Sequence, residues 1–419
     1  MFSFIVFIIV FGAIVFFHEL GHFIFAKRAG ILCREFAIGF GPKLFSFKRN
    51  ETNFTVRLLP LGGYVSMAGE DAESINIRPG QRVGLVLNEQ QKIDKILLDN
   101  STILDGSIFV EIDEIDLDDK LFIKGWVQET EELVSYECEQ YTEILDGKQS
   151  YQIAPLNRQF KSKSFVNKIL TIGAGPIFNF IFAFFILFFM FLIFGTPSNQ
   201  IDKVIKDSPA YQYGLKKGDV IKSIDGTNIN YSNSIQNIIA SNPDKQLSMT
   251  LERKGREKVI LLQTEQRRQT FQKESINQGY VGIEISHTHS LKNSFMYAKE
   301  KTVAYTIVII QSLKDLIIGN LSWDNLSGPV GIYKITDTVS QLGVYHILNF
   351  AAFISINLGI VNLIPIPALD GGRILLILLE AIRRKSLPPQ TESIIHLAGF
   401  VILMLIMLLV TWKDIMNFA

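Results

Sequence analysis

The sequence is poor in cysteine, with only Cys33 and Cys138 among its 419 residues. Neither belongs to a C-x-x-C pair, so the sequence indicates neither a disulfide framework nor a cysteine zinc site. The chain also lacks net charge, because its 41 basic side chains balance its 41 acidic ones. This balance argues against a nucleic-acid-binding protein.

The amino-terminal apolar segment lacks the basic residues and the small-residue cleavage site of a signal peptide, so we expect it to be retained as a helix. Long apolar runs are abundant, and many of the 32 phenylalanines lie in them. Such runs predict a multi-pass α-helical membrane protein with four transmembrane helices. The runs of spanning length are Phe2–Ala26, Ile177–Phe194, Ile347–Ile364 and Ile394–Trp412.

Basic residues flank these runs on one side only, which the positive-inside rule assigns to the cytoplasm. Both termini and the 197–345 segment are therefore expected outside the cytoplasm, and the 27–165 loop inside. The basic residues are Lys27, Arg28 and Arg34 after the first run, Lys161, Lys163 and Lys168 before the second, and Arg383, Arg384 and Lys385 between the third and fourth.

The pattern between the spans predicts several smaller parts. Residues 53–69 alternate apolar and polar side chains, which favours a membrane-associated β-hairpin with its turn at Gly62-Gly63. Residues 70–160 are rich in Asp and Glu and predict a small α+β or β insert. Residues 287–343 predict an amphipathic helix and a linker. The remaining predicted boundaries are 1–26, 166–195, 344–373 and 394–412 for the helices and 197–286 for an extracytoplasmic domain.

The extracytoplasmic segment carries an A-x-x-x-G-L-x-x-G-D-x-I-x-x-I-x-G pattern that begins at Ala210. This pattern resembles a circularly permuted, bacterial type of PDZ domain, an α/β fold. The run from Gly279 to Ile283 is then either the loop whose backbone N–H groups receive a peptide carboxylate or an ordinary glycine turn. The residues leave these two alternatives open.

The first apolar run contains His18-Glu19-Leu20-Gly21-His22. Two histidines four residues apart share one face of a helix, which is the spacing needed to hold one zinc ion. The glutamate between them is placed to take a proton from water at that metal. A carboxylate within the bilayer costs roughly 2.5–3.5 kcal/mol on insertion scales, so its presence there indicates a function.

A catalytic zinc site usually needs a third protein ligand. Asp370 is the favoured candidate, because two prolines, Pro365 and Pro367, break the third run just before it at membrane depth. A surface or helix-end role is the better interpretation of the other four histidines, which are His287, His289, His346 and His396.

Together the HELGH motif, the NLIPIPALDGG run, the GP-x-x-N stretch at Gly175–Asn179 and the single PDZ-like pattern resemble the site-2 protease family, peptidase family M50. The resemblance covers nearly the whole chain. Two departures stand out: some members have tandem PDZ domains, and the acidic 70–160 insert exceeds the minimal core of the family.

The resemblance implies a bacterial cell-membrane protease that uses Zn²⁺ for regulated intramembrane proteolysis. Its substrates would be single-span membrane proteins, such as anti-sigma factors or remnant signal peptides, first trimmed by an upstream site-1 protease. By position, His18, His22 and Asp370 match the zinc ligands and Glu19 the catalytic residue. The residues that match substrate-binding segments are Asn362, Pro365, Pro367, Gly62, Gly63 and Tyr64.

Two other functions use the same residues differently. A metal transporter or membrane scaffold would need no general base at Glu19 and would offer further ligands in the other spans, yet the second and fourth apolar runs hold no acidic residue. A peptide-sensing receptor would be expected to carry a degenerate zinc motif, whereas here all its elements are intact.

Overall fold

The computed structural model describes residues 2–70, 77–98, 104, 106–147, 149–229, 235–271, 274–320, 326–385 and 387–418. The chain divides into two compact units. The first unit comprises Met1–Phe180, Ser322–Asp337 and Asn357–Ala419, and the second comprises Ile181–Leu321 and Thr338–Ile356.

The described helices are α1 (Phe2–Arg28), α2 (Phe165–Phe194), α3 (Pro209–Gln212), α4 (Ile235–Ala240), α5 (Leu291–Ile318), α6 (Pro329–Gln341), α7 (Val344–Asn362), α8 (Asp370–Arg383) and α9 (Pro389–Phe418). The strands are β1 (Cys33–Arg49), β2 (Thr52–Met67), β3 (Arg82–Leu87), β4 (Ile93–Leu97), β5 (Ile108–Asp116), β6 (Phe122–Val127), β7 (Leu133–Asp146), β8 (Gln149–Gln152), β9 (Thr196–Val204), β10 (Val220–Ile224), β11 (Thr227–Asn228), β12 (Gln246–Arg253), β13 (Arg256–Gln263), β14 (Glu265–Phe271), β15 (Glu274–Tyr280) and β16 (Ile283–Thr288).

Four of the described helices are long and apolar enough to cross a membrane, as the sequence predicted. Their exposed side chains are largely apolar, for example Leu408 and Leu409 on α9. Such a surface suits lipid, and a helix satisfies its own backbone hydrogen bonds there. The four spans are Phe2–Arg28, Phe165–Phe194, Val344–Asn362 and Gln390–Met416.

Strands β1 and β2 of the first unit form a sheet that differs from the predicted hairpin. Cys33–Ile38 pairs with Gly63–Met67 and also with Asn53–Val56, and the chain turns at Asn50-Glu51 rather than at Gly62-Gly63. The predicted 53–69 hairpin is therefore wrong in its pairing. The physical reason is that the apolar segment of β1 lies between the two halves of β2, with Phe36 buried opposite both Val65 and Phe54.

The acidic insert forms a second sheet of the first unit, with the strand order β4-β3-β5-β6-β7-β8. An additional parallel pairing of β4 with β7 closes five of these strands into a barrel. Val83, Leu85, Ile93 and Ile96 are fully buried in its core. The described part of the insert is therefore a β structure, one of the two alternatives that the sequence left.

The second unit contains a sheet with the strand order β13-β12-β10-β9-β16, which carries α4 and the buried residues of one apolar core. A charged pair stabilises it: Arg253 donates two hydrogen bonds of 2.7 Å to Asp219, whose side chain is only 1% exposed. Burial alone would raise the pKa of Asp219, but the bonds from Arg253 and the Lys216 amide hold it below its ordinary value. The PDZ-like identity of this domain stays a prediction.

We expect Asp219→Asn to lower the free energy of unfolding of this domain by about 2 kcal/mol, because the variant weakens a buried charge-assisted pair. Hydrogen exchange of the β12 amides in the full-length protein should become roughly 30-fold faster. Since the folded-state pKa is lowered, the stabilisation of the parent is complete above about pH 4 and declines as the pH falls through that lowered pKa.

The matched control is Lys217→Gln, which removes an exposed ion pair with Asp202. Exposed pairs contribute little, so exchange should stay close to the parent rate. Equal exchange rates in the Asp219→Asn variant and the parent would contradict the assigned role of the pair.

Candidate metal centre and active site

Helix α1 carries three buried polar side chains on an otherwise apolar segment. His18, Glu19 and His22 are 7%, 7% and 6% exposed. The helical spacing puts both imidazoles on one face, as predicted. Their burial depends on a close neighbour, since nothing in a lipid environment would compensate their polar atoms.

That neighbour is α2, and glycines set the distance between the two helices. A Cβ atom built on Gly21 would lie only 2.5 Å from the carbonyl oxygen of Ala174. A Cβ atom built on Gly175 would overlap with Nε2 of His22 and lie 2.9 Å from Cε1 of His18. Both helices therefore need glycine here, and Gly175 leaves the space that the two imidazole rings occupy.

Asp370 reaches the same place from the end of the third span. Helix α7 ends at Asn362, and α8 begins at Asp370. The short connection folds back tightly, with Ala368 at a φ of 78°. Side chains at Gly371 and Gly372 would overlap with carbonyl groups of this connection, so the glycines allow the turn that aims Asp370 at α1.

The donor atoms of these three residues converge. Nε2 of His18 lies 3.2 Å from Nε2 of His22, and Oδ2 of Asp370 lies 3.2 Å and 3.4 Å from these two atoms. Oδ2 is buried and makes no hydrogen bond to a described residue. Two imidazole nitrogens and an orphaned carboxylate oxygen are a donor set that suits a zinc ion with an open fourth position.

The outer nitrogens of both rings have polar neighbours on α2. Nδ1 of His22 lies 2.9 Å from the carbonyl oxygen of Thr171. Nδ1 of His18 lies 3.1 Å from the amide of Asn179, which is fully buried. Such contacts to the outer nitrogen set the tautomer and the orientation of a metal-binding histidine.

A cavity of about 350 Å³ opens beside this centre. Glu19 lines it, and β2 passes so close that a Cβ atom built on Gly63 would lie 2.8 Å from Cγ of Glu19. An ion pair between Arg373 of α8 and Glu70 lies at its edge. The cavity is lined by His18, Glu19, His22, Gly63, Tyr64, Val65, Ser66, Met67, Glu70, Asn362, Ala368, Leu369, Asp370 and Arg373.

Tyr64 lines the cavity and belongs to a hydrogen-bond network on the β1–β2 sheet. Its hydroxyl donates to Glu35 at 2.7 Å and accepts from Arg57 at 2.8 Å. Burial and the bond to Glu35 raise the pKa of Tyr64 to about 12. The phenol therefore stays protonated near neutral pH and cannot serve as a base.

The structure brings together most of the predicted site residues. Glu19, the three predicted ligands, Asn362, Gly63 and Tyr64 all line the cavity. Pro365, Pro367 and Gly62 are not among its lining residues. Pro367 instead packs against Gly399 of α9, and Gly62, at a φ of 128°, packs under the ring of Phe40.

Sequence analysis did not find the contacts of Gly175 and Asn179 with the two histidines. The spacing of these residues was a usable signal, because residues four apart on α2 share one helix face. The spacing of Gly175 and Asn179 places them on the same face of a helix, but only the tertiary structure shows that this face is directed toward His18 and His22.

Comparison with known proteins decides the family. The sequence model of peptidase family M50 matches residues 6–406. The chain belongs to peptidase family M50. The regulator of sigma-W protease RasP of Bacillus subtilis is 44% identical over 414 residues, which are 98% of this chain and 97% of that protein. Zinc metalloproteases named RasP from Geobacillus kaustophilus and Oceanobacillus iheyensis are 43% and 41% identical, each with at least 98% of both chains covered.

Membership in family M50 confirms the resemblance that the motifs indicated. The protein is a zinc metalloendopeptidase, Zn²⁺ is its cofactor, and its four apolar helices fit a membrane-embedded protease.

We expect Asn179→Leu to weaken zinc binding by about 10- to 100-fold. Nε2 of His18 offers a lone pair only when Nδ1 carries the proton, and that proton needs an acceptor. In the structure the side-chain nitrogen Nδ2 of Asn179 faces Nδ1 of His18. A 180° flip of the side-chain amide places its oxygen there instead, and this oxygen accepts the proton. Asn179→Asp should keep zinc, because its carboxylate also accepts. Zinc content and the rate of zinc loss to a chelator are the measurements.

Thr336→Val serves as the control, since it also removes a buried polar group, one that bonds to the Ile332 carbonyl of α6. It should leave zinc content unchanged. If Asn179→Leu retains zinc while Asn179→Asp loses it, the amide donates to His18 and the assigned role is wrong.

Proposed function

We propose that this protein cleaves single-span membrane proteins within the bilayer, as the final step of regulated intramembrane proteolysis. His18, His22 and Asp370 hold the zinc ion, and Glu19 is the catalytic residue. The observation that carries the proposal is the position of Glu19, which lies between the two imidazoles in sequence and lines the same cavity as all three donors.

The chemistry is hydrolysis of a peptide bond. Zinc, when bound, polarises the scissile carbonyl group and lowers the pKa of water. Glu19 takes the proton of the attacking water and passes it to the nitrogen of the leaving amine. The amide of Asn362, whose Nδ2 lies 3.3 Å from Nε2 of His18, is near enough to donate a hydrogen bond to a substrate carbonyl. His18, Glu19 and His22 are buried in the protein, which limits the access of bulk water to them.

Presentation of the substrate is assigned to β2. A helical substrate hides its carbonyl groups in its own hydrogen bonds, so it has to unwind before cleavage. Among the described residues, Gly63–Met67 pairs only with β1, and this segment lines the cavity. An unwound substrate can therefore pair with the other edge of the segment as an added strand. The close approach of Gly63 to Glu19 would put such a strand beside the catalytic carboxylate.

The proposed topology follows from the basic flanks of the spans. The active site lies in the cytoplasmic half of the membrane, and both termini and the PDZ-like domain lie outside. The cut then releases the cytoplasmic part of the substrate. The Bacillus subtilis relative is named a regulator of sigma-W, which supports anti-sigma factors as one substrate class. Remnant signal peptides are a second class.

The PDZ-like domain is assigned to substrate selection. It contains a cavity of about 430 Å³ between β9, β16 and α4, bordered by Ile235, Gln236 and Ile285. In the described structure β16 pairs with β9 alone, so its other edge can accept an extended peptide. We infer that this domain admits substrates whose extracytoplasmic part has been trimmed by a site-1 protease.

Glu19→Gln should lower the cleavage rate of a single-span test substrate at least 10²-fold while zinc stays bound, because the amide cannot accept the proton of water. Asp370→Asn should lower both zinc content and cleavage, because it removes an anionic ligand. Reconstituted protein, zinc analysis and gel detection of the products are the measurements. Normal cleavage by the Glu19→Gln variant would disprove the proposed mechanism.

Replacing residues 199–285 with a short linker should let the enzyme cut a substrate with an untrimmed extracytoplasmic domain, because the filter is gone. Cleavage of the trimmed substrate serves as the control for a folded active site. If the shortened protein cuts the trimmed substrate but still leaves the untrimmed one intact, the filter role is wrong.

A further inference from the structure

A second polar cavity lies in the first unit and shares no lining residue with the cavity beside the metal centre. It has a volume of about 970 Å³. The end of α1, the turn between β1 and β2, strand β7 of the barrel and the adjoining strand β8 surround it. Its lining residues are Phe23, Lys27, Lys48, Arg49, Asn50, Glu51, Thr52, Phe54, Tyr141, Glu143, Gln152 and Arg158.

The lining is positively charged, with four cations against two carboxylates. Glu51 is shared between two of the cations, at 2.5 Å from Lys27 and 2.7 Å from Arg158. Burial opposes its ionisation, but the hydrogen bonds from Arg158 and Lys27 lower the pKa of Glu51, so it counts as one negative charge.

The other carboxylate, Glu143, pairs with Lys48 at 2.9 Å. Arg49 is exposed and forms no ion pair with any described residue. The shared Glu51 and the uncompensated Arg49 thus leave an excess of two positive charges in the cavity, which favours an anionic ligand.

One wall of the same cavity is apolar. The rings of Phe23 and Phe54 lie 5.6 Å apart, edge to face. Phe23 belongs to the membrane-spanning helix α1 and lies one turn before Lys27, whose Nζ is 5.8 Å from the centre of the Phe23 ring. Apolar and cationic surfaces therefore meet where this span ends, the level at which lipid headgroups are found.

We propose that this cavity binds the headgroup of an anionic phospholipid, with the phosphodiester held by Lys27, Arg49 and Arg158 and the start of an acyl chain against Phe23. Basic pockets beside transmembrane helices recognise anionic headgroups in this way. A bound lipid would connect α1, which carries the zinc motif, with the β1–β2 turn and the barrel. The proposal does not depend on the proposed substrates.

The test uses the full-length protein, delipidated in detergent and titrated with phosphatidylglycerol, with binding followed by native mass spectrometry. Arg49→Gln should weaken binding about fivefold, the effect of one basic residue at an anionic lipid surface. Glu51→Gln should strengthen binding, because it removes a competing negative charge. The control is Arg256→Gln, an exposed arginine on β13 of the second unit, which should leave binding unchanged.

Two further arms identify the ligand class. Phosphatidylcholine should bind at least fivefold more weakly than phosphatidylglycerol, and millimolar inorganic phosphate should not displace the lipid. The proposal fails if both lipids bind equally, if phosphate alone displaces the lipid, or if Arg49→Gln and Arg256→Gln have the same effect.

Discussion

Three polar side chains that meet in an apolar environment are the constraint on which the rest of this protein depends. Two imidazoles from α1 and a carboxylate from the start of α8 come within 3.4 Å of one another. Lipid cannot solvate them, so they have to be enclosed by protein and satisfied by a metal ion and by partners on α2. Glycines at the α1–α2 contact and at the start of α8 make this enclosure possible. A side chain at Gly175 would occupy the place of the imidazoles, and side chains at Gly21, Gly371 and Gly372 would overlap with neighbouring backbone carbonyl groups.

Helix α1 connects the metal centre to the β1–β2 sheet and to the membrane boundary. Glu19 lies against the backbone of β2, so the residue proposed to be catalytic and the strand proposed to hold the substrate are in direct contact. Two turns after Glu19, the helix ends at Lys27 and Arg28, beside the cationic cavity. A ligand bound in that cavity would therefore act on the elements that frame the active site.

Sequence reasoning selected residues that the structure brings together where the signal is local or chemically rare. The HELGH motif has one favourable geometry on a helix, and Asp370 was the favoured third ligand because it follows a broken span. It failed for the 53–69 hairpin, because an alternating pattern shows which face of a strand is buried but does not name the strand that pairs with it. It also assigned no role to Asn179, whose function depends on a contact between residues 161 positions apart.

The sequence by itself determined the four apolar spans, the helical spacing of His18, Glu19 and His22, and the need for a third ligand, because hydrophobicity and helix periodicity act over short distances. Only the tertiary structure decided that α2 supports both imidazoles, that Gly63 touches Glu19, that Pro365 and Pro367 lie off the cavity, and that a charged cavity forms beside Arg49. These features arise between segments far apart in the chain, where close packing rather than local pattern sets which atoms meet.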